Sequence, residues 1–163
     1  MSNPVTEWLN SQQENMVKLL ADLVNIDSNS FDKQGVDKVA ERLREFFDAH
    51  SVTHETIALK DQGDVLRVIV SGGDGNRPLL LCGHRDTVFP TGEVEKRPFE
   101  IKKGKAFGPG VADMKPGLVM NAFILAAFAK FGGQPNPMVG LFTGDEEIGS
   151  PASQDIIVAE AKK

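Results

Sequence analysis

A chain of 163 residues with 40% hydrophobic content can bury one real core and leaves little room for a second domain. Its 18 basic and 23 acidic residues give a net charge of -5, with no run of five like charges, which argues against nucleic acid as a partner. The single cysteine, Cys82, excludes an intramolecular disulfide, no apolar stretch reaches the ~18 residues of a membrane span, and "MSNPVTEWLN" lacks a signal-type leader, so a cytoplasmic, reduced location is expected.

Apolar residues at Trp8, Leu9, Met16, Leu19, Leu20, Leu23 and Val24 recur at helical steps, which predicts a helix from about Thr6 to Ile26, stopped by "DSNS". Val36, Val39, Ala40, Leu43, Phe46 and Phe47 predict a second amphipathic helix ending near His50. The period then shortens. "VLRVIV" and "PLLLC" are β-favouring runs joined by "SGGDGNR", whose Asp74-Gly75 pair suits a tight turn, so they are expected to be neighbouring strands. "FEIKKGKAFG" suggests another hairpin. "DMKPGLVMNAFILAAFAKF" reads as a helix with Pro116 in its first turn and apolar residues on nearly every face, which belongs in the interior. "PMVGLFTG" is a buried strand and "SPASQDIIVAEAKK" a last helix. Helices alternating with apolar strands imply a layered α/β domain, without repeats or linkers.

Three stretches could carry chemistry. In "GHRDTV", His84 and Asp86 are two apart; on a strand they share a face, so the carboxylate can reach one ring nitrogen and leave the other for a metal, unless the stretch is only a surface turn. In "GPGVADMKPG", Asp113 is either a helix N-cap or a site carboxylate. Asp113 also occupies the third glycine position of a would-be dinucleotide fingerprint with Gly108 and Gly110, which disfavours a phosphate cradle. In "FTGDEEIGS", Asp145, Glu146 and Glu147 follow a strand and are either a solvated acidic loop or part of a site. His50 and His54 would share a helix face only if the helix continued, and β-branched Val52 and Thr53 argue that it does not. Cys82 reads as a small buried hydrophobe. All three stretches fall at strand ends or at the start of a helix, the edge where open α/β sheets place ligands. Carboxylates of Asp86, Asp113, Glu146 and Glu147 gathered there would repel by about 4 kcal/mol per pair at ~4 Å and an effective dielectric near ~20. A cation would relieve this, and a histidine with carboxylates suits zinc, cobalt or manganese.

"GHRDTV", "GPGVADMKPG" and "TGDEEIGS", in this order, resemble the three signatures of the dinuclear zinc exopeptidases and amidohydrolases, a family that includes glutamate carboxypeptidase, acetylornithine deacetylase, succinyl-diaminopimelate desuccinylase and aminoacylase. "DTVFPTG" and "KRPF" look most like the glutamate carboxypeptidase branch. The resemblance implies a layered α/β zinc-exopeptidase-like catalytic domain with a mixed sheet flanked by helices, truncated at its C-terminus. It implies two Zn2+ ions (Co2+ or Mn2+ as alternatives), with His84 ligating one, Glu147 the other, Asp113 bridging both, Asp86 orienting His84 and Glu146 acting as general base. It also implies a cis peptide bond after Asp113 and hydrolysis of an amide in a small peptide or N-acyl amino acid. Arg85 and Pro116 depart from the usual residues at their positions. The remaining ligands, a lid domain that mediates homodimer contacts and the end of the catalytic domain have no counterpart in residues 1–163. The chain thus reads as the N-terminal portion of such an enzyme, inactive by itself. The alternatives are an N-acyl amino acid deacylase or a non-catalytic metal-binding module.

Overall fold

The computed structural model describes residues 3–75 and 77–163, so the amino-terminal reading and the "SGGDGNR" turn fall partly outside the described residues. Where one helix was expected, two form: α1 (Pro4–Ser11) and α2 (Gln13–Val24). The Ser11 hydroxyl donates to the Trp8 carbonyl at 2.7 Å, competing with the helical ladder where the chain breaks at Gln12. α3 (Lys33–Ala49) starts where the Asp32 carboxylate accepts from the Gly35 amide at 3.0 Å, and ends at His50 as expected.

The main sheet has four strands, β1 (Thr53–Ile57), β2 (Val65–Val70), β3 (Leu79–His84) and β6 (Met138–Thr143), in the order β1-β2-β6-β3. β6 runs antiparallel to β2 and parallel to β3, so the sheet is mixed. This corrects the expectation that β2 and β3 are neighbours. All six residues of β6 are buried, and a strand apolar on both faces belongs at the centre of a sheet. The glycine-rich connection docks on the approach to β6: Gly73 and Gly75 amides donate to the Gln134 and Pro135 carbonyls at 3.1 and 2.9 Å. A Cβ on Gly72 would lie 2.2 Å from the Asn136 carbonyl, so only glycine permits that approach. β4 (Glu100–Lys102) and β5 (Lys105–Phe107) form the expected hairpin, preceded by the short α4 (Glu93–Lys96).

α5 (Lys115–Phe131) fills the interior as its composition predicts, with Leu118, Ala122, Phe123, Leu125 and Ala126 packed in one core with Leu23, Leu43, Phe47, Val68 and Phe142. α6 (Gln154–Ala161) is the last element. Among the described residues no helix is long and apolar enough to cross a membrane.

Lying at the sheet edge, β3 leaves Leu79 54% exposed and Cys82 exposed, not buried as its type suggested. The unpaired outer edge of an apolar strand is a template for another strand. The purified chain is therefore expected to self-associate, with a mass by light scattering that rises with concentration. A monomeric mass throughout would contradict this.

Candidate metal centre

The pairing of β3 with β6 continues past its last residue, since the Arg85 amide donates to the Thr143 carbonyl at 2.9 Å; beyond it Thr87 bridges a different segment, its amide donating to the Ser28 carbonyl at 2.8 Å. Extended geometry thus persists through Asp86, and the stretch is no surface turn: His84, Arg85, Asp86 and Thr87 are all buried. His84 Nδ1 lies 3.1 Å from the Asp86 carbonyl oxygen and 3.4 Å from its Oδ1. With the Nδ1 proton on that carbonyl, Nε2 faces outward, 3.0 Å from Asp113 Oδ1 and 3.6 Å from Glu146 Oε2.

Asp86 does more than its spacing suggested. Its carboxylate accepts from the Ser30 hydroxyl at 2.7 Å and from the Glu146 and Glu147 amides at 3.2 and 3.1 Å. It thereby ties the end of β3 to the 3-10 turn Glu146–Ile148 that follows β6. Burial pushes the Asp86 carboxyl up, but hydrogen bonds from His84, Ser30 and the Glu147 amide, with the charge of His84, hold it below its ordinary pKa. No pattern in the sequence marks Ser30, because "DSNS" signals only a helix stop. Asp145 also departs from the acidic-loop alternative: it is fully buried, and its carboxylate accepts from the Ala152 and Ser153 amides at 2.8 and 3.0 Å.

Asp113 is not a helix cap. The N-cap position of α5 is Met114, without a side-chain cap, and the Asp113 side chain is 74% exposed and directed at His84. The Asp113–Met114 peptide bond is cis, as the resemblance implied. Met114 seats the segment by accepting the His84 amide at its sulfur, 3.3 Å away. One nitrogen or oxygen donor atom from each of His84, Asp113 and Glu147 consequently lies within 4.8 Å of the others, a spacing that could hold a metal ion. His50 and His54 are not brought together as ligands: the first caps α3 and the second, on β1, bonds Asp48.

Among the described residues, the only basic side chain paired with Asp113 or Glu146 is His84. Burial and the neighbouring acids hold Glu147 above its usual pKa, with His84 opposing. Burial also works against a charged imidazole at His84, yet hydrogen bonds to Asp86 and Asp113 and the charges of Asp86 and Glu146 push its pKa up to about 9. A nitrogen donor and unneutralised carboxylates at this spacing fit a divalent cation. Such a cation must displace the His84 proton, so its affinity is expected to rise about tenfold per pH unit from neutrality to about 9, then level. Zinc titrations across this range check it, and a flat profile would contradict it. Without metal the sign reverses: the raised pKa stabilises the fold fully below the ordinary histidine value near ~6.5, and that contribution is lost as pH climbs through about 9.

The sequence profile of the peptidase family M20/M25/M40 matches residues 80–162, a span containing all three stretches. The chain belongs to that family. It is 32% identical over 164 residues to carboxypeptidase G2 from Pseudomonas sp. (strain RS-16), covering 98% of this chain and 39% of that one. It is also 36% identical over 117 residues to succinyl-diaminopimelate desuccinylase from Methylocella silvestris, covering 68% of this chain and 29% of the relative. A family M20 metallo-carboxypeptidase from Sulfolobus solfataricus shares the fold, with a TM-score of 0.74 at 22% identity over 90% of this chain and 34% of its own. The chain thus spans about two fifths or less of these family members.

Proposed function

We propose that this chain is the N-terminal portion of the catalytic domain of a dinuclear metallohydrolase that cleaves an amide bond, acting as a glutamate carboxypeptidase-like exopeptidase on small peptides. The observation that carries the reading is the convergence of His84, Asp113 and Glu147 within 4.8 Å, with Glu146 beside them. Its support is the M20 membership and the similarity to carboxypeptidase G2 along nearly the whole chain. A second reading, an N-acyl amino acid deacylase, is favoured by the similarity to the desuccinylase.

In this reading Asp113, His84 and Glu147 would hold the cations, with Asp113 shared between two, His84 serving one and Glu147 the other. Zinc suits the nitrogen and oxygen donors, and cobalt or manganese would substitute. When bound, the cations supply Lewis acidity, polarising the scissile carbonyl and lowering the pKa of water at the site towards ~7. The chain's own residues then do the following. Asp86 fixes the backbone of both glutamates and the orientation of His84. Glu146, with its side chain 55% exposed beside His84, takes a proton from the attacking water and returns it to the leaving amine. A mainly apolar cavity of about 200 Å³, lined by Cys82, His84, Met114, Leu141, Glu146 and Ile157, adjoins the same groups.

Two ligands per cation are fewer than the three a catalytic zinc ordinarily keeps, so the remaining ligands come from outside these residues. Residues 1–163 alone are expected to hydrolyse neither a peptide with C-terminal glutamate nor an N-acetyl or N-succinyl amino acid at a measurable rate, even with excess zinc. A form carrying the whole catalytic domain is expected to release glutamate in a chelator-sensitive reaction. Chelator-insensitive hydrolysis by the longer form would overturn the metallohydrolase reading, and activity from the 163-residue chain would overturn its incompleteness.

A further inference from the structure

Arg85 stands between His84 and Asp86, and on an extended chain its side chain leaves from the opposite face. It is 0% exposed. Nη1 donates to the Val36 carbonyl on α3 at 2.9 Å, and Nη2 donates to the Asp64 carbonyl just before β2. Nε is buried without a partner. With the Arg85 amide on Thr143, this one residue joins the ends of β3 and β6, the first turns of α3 and the entry to β2.

The same packing reaches the glutamates. A Cβ on Gly144, two residues before Glu146, would lie 2.6 Å from Val36 Cγ1 and 3.1 Å from the Gly63 carbonyl. The backbone leading to Glu146 and Glu147 therefore rests on the residue whose carbonyl Arg85 holds. The receiving loop is itself braced: Asp37 accepts the Asp64 amide at 2.8 Å, and Lys33 bridges both carboxylates. Asp37, Asp64 and Asp86 all attract the buried guanidinium. A fully buried, incompletely bonded arginine is a poor device for stability alone, because an apolar side chain of similar volume often replaces such a group without loss.

We infer that Arg85 is a positioning residue of the metal centre, setting the separation between the strand end that carries His84 and Asp86 and the segment that carries Glu146 and Glu147. It acts through Val36, Asp64 and the backbone and touches no ligand atom. The inference rests on the metal-site reading above, and the test separates the two.

Cobalt is titrated into the parent chain, Arg85→Met and Arg85→Lys, following the visible absorption of the bound ion, with circular dichroism and thermal melting on each protein. Arg85→Met is expected to fold yet bind cobalt about tenfold more weakly, the scale of losing a group that supports a ligand, with a changed absorption band. Arg85→Lys keeps the charge and one carbonyl bond, so its affinity should fall between the two. A folded variant with parental affinity and band shape overturns the proposal. Failure of both variants to fold also overturns it, assigning the side chain to structure alone. Absence of cobalt binding by the parent chain overturns the metal-site reading itself, and the positioning role with it.

Discussion

Replacing Asp113 with alanine is expected to abolish divalent-cation binding by the chain. Its carboxylate is the exposed group aimed at His84 Nε2 from 3.0 Å, and in the proposed arrangement it alone touches both cations. Losing a supporting partner typically costs a metal site about 10–100-fold in affinity, and losing a shared ligand should exceed that. The fold should survive, because this side chain caps no helix and is largely solvated. Calorimetry with zinc on Asp113→Ala, with His50→Ala as control, checks the assignment. Parental binding by Asp113→Ala together with loss in His50→Ala would place the site elsewhere.

The adjacent glutamates should separate cleanly. In a form carrying the whole catalytic domain, Glu146→Gln is expected to retain metal and lose turnover by on the order of 10²–10⁴-fold, the contribution of general acid–base catalysis. Glu147→Gln should lose metal and activity together. The expected difference follows from geometry: a carboxylate oxygen of Glu147 lies within 4.8 Å of donor atoms of both His84 and Asp113, while Glu146 Oε2 lies 3.6 Å from His84 Nε2. Both backbone amides are held by Asp86, so neither substitution should disturb the turn itself. Metal content by elemental analysis beside kcat decides, and equal metal loss in both variants would remove the distinction.

The parts of this arrangement legible in the sequence are those set by local pattern. The apolar run that ends in His84, the all-round apolar helix after Asp113 and the strand before Glu146 announce their elements through periodicity, and their ends mark one edge of the sheet. Strand order was not legible. β2 and β3 are consecutive and joined by a turn-rich stretch, yet β6, more than fifty residues later, lies between them because it is apolar on both faces. Cys82 is exposed for the same reason, since its strand ended up at the edge. The supports of the site depend on contacts between distant segments, and no local signal marks Ser30 beneath Asp86 or Arg85 behind it. The break at Gln12, where the Ser11 hydroxyl and the Gln12 amide bond the Trp8 and Leu9 carbonyls, leaves no mark in a hydrophobic pattern.

Anomalous diffraction at the zinc edge from crystals grown with zinc would locate the cations themselves. Density is expected within coordination distance of His84 Nε2, Asp113 and Glu147, lost in Asp113→Ala and retained in Glu146→Gln. Zinc-saturated crystals with no anomalous peak at these three side chains, or with peaks only at other residues, would contradict the metal-site reading.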